Sequence, residues 1–466
     1  MARPSAIYAR GPPRLNLQRS ERFGPYDSVD MSDSMRVGLL GCGHVGAAVA
    51  RMLHENTGEI ERRAGRRIEI TRVAVRDLAK DRAVPLDRSL FTADPADVVR
   101  HADVDVIVEV MGGIEPARTL LLDAFEAGKP AVTANKELLA ADGKELFEAA
   151  AKAGVELLYE AAVGGGIPLI RPLREHLAGD RIVRFMGIVN GTTNYILTRM
   201  TEDGASLEEA VAEAQSLGYA EADPTADVGG FDAAAKAAIL ATIAYDVPVG
   251  ASDVHREGID RVSAADIAFA RQLGFVVKLL AIAEAVGEEV SVRVYPAMIP
   301  ADHPLASVRE SFNAVFIEGQ RVGPLMLYGK GAGGDPTATS VVGDVIDIAR
   351  SSGGGATRPI AHAHPGWSSE VPLRRIRPIG EMSAQYYVLM RVADRPGVLA
   401  AIATVFSEHE VSIKSVWQEG HGEEAQLVLV THREPEHALQ ACMADLQTLD
   451  AVKEVSSVIR VEAAEP

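Results

Sequence analysis

Several features that are common in other protein classes are scarce in this chain. Only two of its 466 residues are cysteines, Cys42 and Cys442, which excludes a disulfide framework and makes a reducing cytoplasm the expected location. No apolar run approaches the roughly 20 residues that a membrane-spanning helix needs. Positive charge is also in short supply, because the formal net charge is -18 at pH 7. That balance argues against nucleic-acid and anionic-membrane partners and leaves a globular protein of about three domains.

Residues 1–34 lack the apolar segment of a secretory signal, although they are rich in arginine and proline. Their arginines are typical of an organelle transit peptide, but Pro4, Pro12 and Pro13 would interrupt an amphipathic helix. Met31 and Met35 also allow a later start of translation. We therefore expect residues 1–34 to be a disordered extension without a functional role.

The first motif follows directly after a short apolar strand. Residues 35–40 (MRVGLL) predict the strand, and residues 41–46 (GCGHVG) precede a helical segment. This is G-x-G-x-x-G in the context that a dinucleotide site requires, because the glycines permit a tight turn and the helix N-terminus faces the phosphates. We predict a Rossmann domain whose loop contacts the cofactor, with His44 a loop residue rather than a ligand side chain. The candidate contacts are Gly41, Gly43, His44, Val45 and Gly46.

The second strand, IEITRVAVRD, bears on the choice of cofactor. An acid at the end of this strand favours NAD, whereas an arginine suits the 2′-phosphate of NADP. Here Arg76 precedes Asp77, and we favour NADP while leaving dual use open. The strands at 104–110 and 130–134 end in loops that face the ligand edge of such a sheet, so Gly112 and Lys136 are further candidates.

The stretch 218–240 places four ionisable residues among small and apolar ones. Glu221 and Asp227 lie on a loop, and Asp232 and Lys236 lie on an alanine-rich helix. Because Asp232 and Lys236 are four residues apart, they project from the same face. A surface salt bridge explains this pair taken alone, but a charged pair on a helix suited to burial also indicates a working site.

Polar and glycine-rich turns interrupt the middle of the chain. Residues 190–194 (NGTTN) gather more small polar groups at a strand end than a turn needs. The three glycines at 164–166 form a turn that can bind an anion or a small cation, although by default it is only a turn. Residues 270–323 predict alternating strands and helices and a surface suited to self-association. Residues 329–350 predict a glycine-rich loop and a helix that returns to the cofactor domain, with Gly334 as a candidate contact.

The last 85 or so residues predict a separate domain after a linker rich in Gly, Ser, Pro and Arg. Their order of elements is βαββαβ, which is typical of a ferredoxin-like sandwich. It contains no catalytic constellation, so we expect a regulatory or structural role.

Taken together and in order, the motifs GCGHVG, EVMGG, TANK, EAAVGGGIP, NGTTNYIL, ADPTADVGGFDAAAK and GKGAGGDPTA resemble those of monofunctional homoserine dehydrogenase. The C-terminal part resembles an ACT domain. The resemblance implies an α/β Rossmann domain at 35–160 completed by 325–350, and an α+β catalytic and dimerisation domain at 161–324. A linker at 351–380 and a ferredoxin-like ACT domain at 381–466 follow. It also implies NAD(P)-dependent interconversion of L-homoserine and L-aspartate 4-semialdehyde by a homodimer or homotetramer.

The resemblance further implies roles for single residues. Lys236, Asp232 and Lys136 would lie at the reacting group, and Glu221, Asp227 and Thr192 would bind the substrate. The resemblance also implies a monovalent cation, sodium, at the main-chain oxygens of Glu160, Val163, Gly165 and Ile167. In the ACT domain, the turn from Asp394 to Gly397 would bind an amino-acid effector, with threonine the expected one.

The residue types suit this chemistry. Hydride transfer belongs to the cofactor, so the protein must position the substrate and move one proton. We expect burial and neighbouring cations to lower the pKa of Lys136 or Lys236 enough for either to act as the base. Two alternatives are weaker: a non-catalytic amino-acid sensor would not need the acid–lysine group, and a semialdehyde dehydrogenase would need a cysteine nucleophile, for which neither Cys42 nor Cys442 is suitably placed.

Overall fold

The first sheet of the protein is parallel and carries the G-x-G-x-x-G loop. The computed structural model describes residues 34–352, 374–420 and 425–463. Its first six strands are β1 Met35–Leu40, β2 Ile68–Ala74, β3 Phe91–Thr92, β4 Val106–Glu109, β5 Ala131–Thr133 and β6 Leu157–Leu158. They pair in the order β3-β2-β1-β4-β5-β6, which is the order of a Rossmann fold. The predicted dinucleotide-binding fold is confirmed.

Five helices belong to this sheet. They are α1 His44–Glu55, α2 Thr57–Ala64, α3 Pro95–Arg100, α4 Ala117–Glu126 and α5 Lys136–Ala153. The charged stretch at 55–67, in which no element was predicted, contains α2, and this helix buries Ile60 and Ala64. A narrow apolar stripe is enough to dock such a short helix.

The central part of the chain forms a mixed sheet with helices. Its strands are β7 Ile182–Ile188, β8 His255–Arg256, β9 Phe275–Val286, β10 Glu289–Pro300, β11 Phe312–Gly319 and β12 Gly323–Lys330. Its helices are α6 Gly191–Asp203, α7 Leu207–Ser216, α8 Thr225–Val228, α9 Phe231–Tyr245 and α10 Ala264–Gln272. The alternation of strands and helices predicted for 270–323 is wrong, because four strands follow one another from residue 275 with only a short 3₁₀ turn between them. The reason is that a short apolar run does not show by its periodicity whether it forms a buried strand or a helix.

Helix α9 joins the first two domains. It contacts β9 and β10 of the mixed sheet and α5 of the Rossmann domain. Nearly all of its residues are buried, from Ala233 onward, as its uniformly apolar sequence requires. A charged side chain on this helix is therefore held between two domains.

The segment expected to return to the first domain does so only in part. Helix α11 Gly334–Ser352 packs against α1. Residues 323–330, however, form β12 and pair with β11 in the mixed sheet, so the predicted return at 325 begins about one strand later. The three apolar residues at 325–327 pair as a strand because β11 offers an open edge.

The C-terminal domain has the predicted βαββαβ order. Its elements are β13 Ser383–Val392, α12 Val398–Glu408, β14 Ile413–Glu419, β15 Ala425–Thr431, β16 Glu434–Pro435, α13 Glu436–Leu446 and β17 Val452–Val461. Strand β17 also pairs in parallel with β10, through Ala297 with Arg460 and Met298 with Val461. The two domains therefore share one eleven-stranded sheet, which was not predicted.

Two sequence predictions fall partly outside the described residues. The extension predicted at 1–34 lies there except for its last residue, and so do residues 353–373 of the predicted linker. The described end of that linker lies along the sheet, where the Arg377 amide donates to the Val290 carbonyl at 2.8 Å. Where the structure describes the chain, every helix falls short of the length or apolarity that a bilayer crossing demands.

Candidate active site

The glycine loop after β1 opens onto a cavity. Gly41 has a φ of +101°, and a Cβ there would lie 2.9 Å from the Val110 carbonyl oxygen. Gly46 is closed to any side chain, since its Cβ would lie 2.2 Å from the Gly41 carbonyl oxygen. These contacts bring the N-terminus of α1 close to β1 and β4, which is the geometry that receives a pyrophosphate.

This first cavity has a volume of about 410 Å³ and a cationic side. Gly41, Gly43, Arg76 and Gly112 line it, as predicted positions for the cofactor. The lining also includes Lys80 and Arg82, which were not predicted as contacts. The Asp77 carboxylate instead accepts from the Ala79 amide at 2.8 Å, so it caps its own turn. Three cationic residues therefore line this end of the cavity.

A second cavity of about 300 Å³ shares Val110, Met111 and Gly112 with the first. It continues between the domains, where Val45 lines it together with the side chains of Lys136 and Lys236. A cleft therefore runs from the cationic pocket to the two lysines. His44, Gly46 and Gly334 are not part of either lining; a Cβ on Gly334 would lie 3.0 Å from the His44 carbonyl oxygen, so this glycine allows α11 to approach α1.

At the inner end of the cleft, one carboxylate bridges two lysines. Asp232 Oδ1 lies 2.9 Å from Lys136 Nζ, and Asp232 Oδ2 lies 2.8 Å from Lys236 Nζ. Lys236 also donates to the Val189 carbonyl at 2.7 Å. The side chains of Asp232 and Lys236 are each only 10% exposed, whereas Lys136 keeps 35%. The predicted i,i+4 pair is thus a buried pair with a third partner from the other domain.

The pKa of Lys136 shifts in the direction opposite to the one expected from the sequence. Burial by itself lowers the pKa of Lys136, but the Asp232 carboxylate outweighs burial and raises that pKa above its ordinary value. Burial likewise opposes ionisation of Asp232, yet the two lysines hold its pKa well below its usual range. The expected lowering of the Lys136 pKa is wrong, because an anion lies between the two cations and screens each from the other.

Asn190, which was not predicted as a site residue, organises the acids. Its Nδ2 donates to Asp227 Oδ1 at 2.7 Å and to Asp232 Oδ2 at 2.8 Å. Its Oδ1 accepts from the Thr193 amide and caps α6. Burial raises the pKa of Asp227 despite the hydrogen bond from Asn190. The unusual polarity of residues 190–194 was the signal that could have identified it.

The other two predicted substrate residues lie differently. The Thr192 hydroxyl donates to the Tyr219 carbonyl at 2.7 Å, and Thr192 lies near enough to Asp227 to oppose the rise in its pKa. Glu221 is exposed, and its main-chain oxygen accepts from Gln215 at 3.1 Å. The structure therefore brings Thr192 to the acidic group and leaves the Glu221 side chain at the surface of the loop.

Buried polar groups hold the N-terminus of α5 in place. Asn135 caps this helix through the Leu138 amide, and its Nδ2 donates to the Gly113 carbonyl at 2.6 Å. Glu109, fully buried, accepts from the Met111 amide at 2.7 Å and from the Thr133 hydroxyl at 2.6 Å. Because Lys136 is the first residue of α5, these bonds fix its position relative to the Met111–Gly112 loop.

The glycine turn at 164–166 offers neutral oxygens. The buried Glu160 carboxylate accepts from the amides of Leu169, Ile170 and Arg171 at 2.6, 2.9 and 2.8 Å. The Gly165 carbonyl accepts from the Ser340 hydroxyl at 2.6 Å. The Glu160 carboxylate is therefore engaged by main-chain amides, and the oxygens left at this turn are main-chain carbonyls. Within the described ranges, His, Cys, Asp and Glu side chains form no group of three or more that could hold a metal ion.

The predicted effector turn lines a cavity of the C-terminal domain. This cavity has a volume of about 360 Å³, and Asp394, Arg395, Pro396 and Gly397 contribute to it. Gly397 has a φ of +92° and caps the N-terminus of α12. Gln418 Nε2 on β14 donates to Asp394 Oδ1 at 3.2 Å.

Ionisable groups at the inner end of a dinucleotide cleft are what hydride-transfer chemistry requires of a protein. Fold and site together define an NAD(P)-dependent oxidoreductase with a ferredoxin-like C-terminal domain. Residues 41–160 match the family model for the NAD binding domain of homoserine dehydrogenase, residues 168–346 match that for homoserine dehydrogenase, and residues 386–450 match that for the ACT domain. The chain belongs to the homoserine dehydrogenase family.

Individual relatives agree with this assignment. The homoserine dehydrogenase of Mycobacterium tuberculosis is 48% identical over 437 residues, covering 91% of this chain and 97% of the relative. The crystal structure of a homoserine dehydrogenase from Thiobacillus denitrificans aligns with a TM-score of 0.86 at 41% identity, covering 92% of this chain and 99% of that one. A hyperthermophilic archaeal homoserine dehydrogenase mutant in complex with NADPH aligns at 28% identity and a TM-score of 0.59, covering 68% and 98%.

Proposed function

We propose that this chain interconverts L-homoserine and L-aspartate 4-semialdehyde with NADP(H), in the biosynthesis of threonine, methionine and isoleucine. The observation that carries the proposal is the Asp232 carboxylate bridging Lys136 and Lys236 at the inner end of the cofactor cleft. A non-catalytic sensor would gain nothing from burying two lysines on one carboxylate beside a cavity, because such burial is costly unless the group does work.

The proton chemistry falls to the two lysines. NADP, when bound, accepts the hydride from the substrate carbon in oxidation, and NADPH returns it in reduction. In the reducing direction a protonated lysine donates its proton to the aldehyde oxygen as the hydroxyl forms. The raised pKa of Lys136 keeps that lysine protonated at neutral pH, and Asp232 orients both ammonium groups. In oxidation the same lysine, once neutral, takes the hydroxyl proton.

The acidic group beside the lysines is proposed to bind the amino-acid end of the substrate. Asn190 already links Asp227 to Asp232, and Thr192 lies close enough to Asp227 to influence its pKa. Glu221 lies on the loop that precedes α8 and is exposed, so its proposed contact with the substrate amino group requires this loop to move inward. Lid movement of this kind is common where a substrate has to be shielded from water.

The preference for NADP is part of the proposal. Arg76, Lys80 and Arg82 share the cavity at the end of β2, while Asp77 is engaged with its own turn. Replacing Arg76 with Ala should raise the KM for NADP more than that for NAD. Equal changes for both cofactors would contradict the assignment of this pocket to the 2′-phosphate.

A monovalent cation, sodium in our proposal, would bind the main-chain oxygens of Glu160, Val163, Gly165 and Ile167. The Glu160 carboxylate supports this choice because three amides already engage it. Only uncharged main-chain oxygens are then left to bind the cation. The cation would hold the glycine turn at 164–166 against α11, where Gly165 already accepts from Ser340. Its role is structural support of the cleft, which sodium-dependent thermal stability would reveal.

Regulation and assembly belong to the same proposal. The cavity at Asp394–Gly397 has the size for a small amino acid such as threonine, and calorimetry with L-threonine measures that binding.

Strand β12 ends the eleven-stranded sheet, and Tyr328 and Val322 are 51% and 46% exposed there, which supports a homo-oligomer. Light scattering gives its size. Both cysteines are free, in keeping with a cytoplasmic location.

The deciding experiment is a spectrophotometric assay with L-homoserine and NADP, repeated with NAD and with L-threonine present. We expect an increase in absorbance at about 340 nm that depends on homoserine and is faster with NADP. An absence of reduced cofactor with either nucleotide would refute the proposed activity and favour the non-catalytic sensor. An unchanged rate with threonine would refute only the effector.

A further inference from the structure

The segment 255–259 lies directly beside the loop that carries Asp227 and Asp232. The Ile259 amide donates to the Val228 carbonyl at 2.8 Å. The Arg256 guanidinium donates to the Gly229 carbonyl and lies over the Phe231 ring, 3.4 Å from its centroid. These contacts involve the residues immediately after Asp227 and immediately before Asp232.

The contact between this segment and the loop is close along the backbone as well. A Cβ on Gly258 would lie 2.4 Å from the Val228 carbonyl oxygen and 2.7 Å from Gly229 Cα. The segment is also anchored to the sheet, since the Glu257 amide donates to the Val294 carbonyl at 2.8 Å. A shift of the segment must therefore be transmitted to the end of α8 and the start of α9.

On its other side, the same segment meets the C-terminal domain through one arginine. Arg460 of β17 lies 2.9 Å from Glu257 and 2.6 Å from Glu436, the first residue of α13. Although burial opposes it, hydrogen bonds from His255 and Arg460 lower the pKa of Glu257 to about 2, so the pair is ionic at neutral pH.

A cavity of about 660 Å³ separates the segment from α13. Its walls include Arg256, Glu257 and Gly258 on one side and Leu439 and Met443 on the other. Arg460 also lines it and bonds to both walls. Because apolar packing is interrupted here, the guanidinium supplies a discrete ionic connection between the regulatory domain and segment 255–259.

We propose that Arg256 and Glu257 are positioning residues, through which Arg460 of the C-terminal domain holds residues 227–232 in the geometry that binds the substrate. This inference rests on the proposed roles of Asp227 and Asp232 in homoserine oxidation. The C-terminal domain then acts on the site through its docking, whatever ligand its own cavity takes.

The test uses the full-length chain with Glu257→Gln, which keeps the shape of the side chain and removes its charge, and with Arg256→Met, which keeps an unbranched apolar side chain and removes the guanidinium that donates to Gly229 and lies over Phe231. We expect the KM for homoserine to rise by about fivefold or more in both variants, because small displacements of binding groups are costly. The KM for NADP should stay within about twofold, since the cofactor cleft does not touch the segment.

The matched control is Glu462→Gln. Glu462 follows β17 and is buried at the same seam, but its partners are Arg184 and Tyr295 rather than segment 255–259. We expect the homoserine KM of this variant to remain that of the wild type. An unchanged homoserine KM in Glu257→Gln, an equal rise in Glu462→Gln, or a parallel rise in the KM for NADP would each overturn the proposal.

Amide hydrogen exchange separates this inference from the proposed function, because it needs no activity. We expect faster exchange at residues 225–232 in Glu257→Gln than in Glu462→Gln or the wild type. If the wild type fails to oxidise homoserine, the proposed function is refuted, while the exchange result still decides the positioning role. Equal exchange in all three proteins would overturn that role.

Discussion

Two buried clusters in this protein have the same arrangement of charges, and we propose different roles for them. In each, a carboxylate lies between two cations: Asp232 between Lys136 and Lys236, and Glu462 between Arg184 and Arg293, the latter 4.0 Å away. In the second cluster the Tyr295 hydroxyl also donates to Glu462 at 2.6 Å. Both lie where two domains meet, so burial and charge do not distinguish them.

The difference lies in the cations and in what surrounds them. A buried lysine can have its pKa shifted far enough to exchange a proton, whereas arginine stays charged at every pH at which proteins work. The lysines line a cavity that continues into the cofactor cleft, whereas Glu462 and Arg293 are held among β7, β10 and β17. We therefore propose that a carboxylate between two cations serves chemistry when the cations are lysines facing a cavity, and serves docking when they are arginines enclosed by strands.

The largest effect that this comparison predicts is on turnover. Lys236→Ala should lower kcat by about 10² or more, as for loss of an acid–base group, while Asp232 keeps Lys136 as its partner. Steady-state assays of the purified variant measure this. Arg184→Ala is the matched change in the second cluster and should leave kcat within about twofold. Near-wild-type turnover in Lys236→Ala would refute the catalytic half of the comparison.

The next effect is on stability. Glu462→Gln should lower the free energy of unfolding by about 2 kcal/mol at pH 7, because two arginines lose a charged partner. Burial opposes ionisation of Glu462, but Arg184 and Arg293 lower its pKa from 4.5 to about 2. Its stabilisation is thus present above pH 4.5 and is lost as pH falls towards 2. Urea unfolding at pH 7 and at pH 4 should show a smaller deficit at the lower pH; a constant deficit would contradict the ionic role.

A smaller effect concerns the pH dependence of the reaction. Asp232→Asn should reduce kcat by about tenfold, since the ammonium groups lose their orienting partner. Asp232 raises the pKa of Lys136, so its removal lowers that pKa. In aldehyde reduction, which uses a protonated lysine, the loss of rate with rising pH should then begin at a lower pH than in the wild type. If the loss of rate begins at the same pH in Asp232→Asn as in the wild type, Lys136 does not supply the proton.

The last effect appears only at high pH and comes from a buried lysine without a carboxylate in contact. Lys278 donates to the Val308 carbonyl at 2.6 Å and to Asn194 Oδ1 at 2.9 Å, with Glu202 and Arg309 as its charged neighbours. Burial lowers its pKa from 10.5 to about 8. Since the unfolded chain binds the proton more tightly, Lys278 makes stability rise between pH 8 and 10.5, by about 1 kcal/mol per pH unit. Lys278→Met should lack this rise in urea unfolding; parallel curves for the two proteins would contradict it.

Much of the fold was predictable from local patterns. The glycine loop after β1 and the βαββαβ order at the C-terminus each depend on residues within a few tens of positions. The pairing of Asp232 with Lys236 was also predictable, because a helix places residues four apart on one face. Asn190 was within reach, since its polar neighbours exceed what a turn needs, but its two acceptors lie 37 and 42 residues away.

The seam between the catalytic and C-terminal parts could not be predicted. Two residue pairs join β10 to β17, and the apolar patterns of both strands are equally suited to a sheet edge. The partners of Arg460 and Glu462 come from β7, β10, α13 and segment 255–259, so their spacing in the sequence carries no signal. The same holds for the exposed position of the Glu221 side chain, which depends on how its loop folds back.

Local order follows from the sequence because backbone hydrogen bonds and apolar periodicity act over a few residues. The Rossmann unit, the charged helix α9 and the C-terminal domain are of this kind. The pKa of Lys136 is not determined locally, because it depends on the distance to Asp232, which lies far away in the sequence. Tertiary structure placed Asp232 between Lys136 and Lys236, and by interposing one negative charge it reversed the expected shift in the pKa of Lys136.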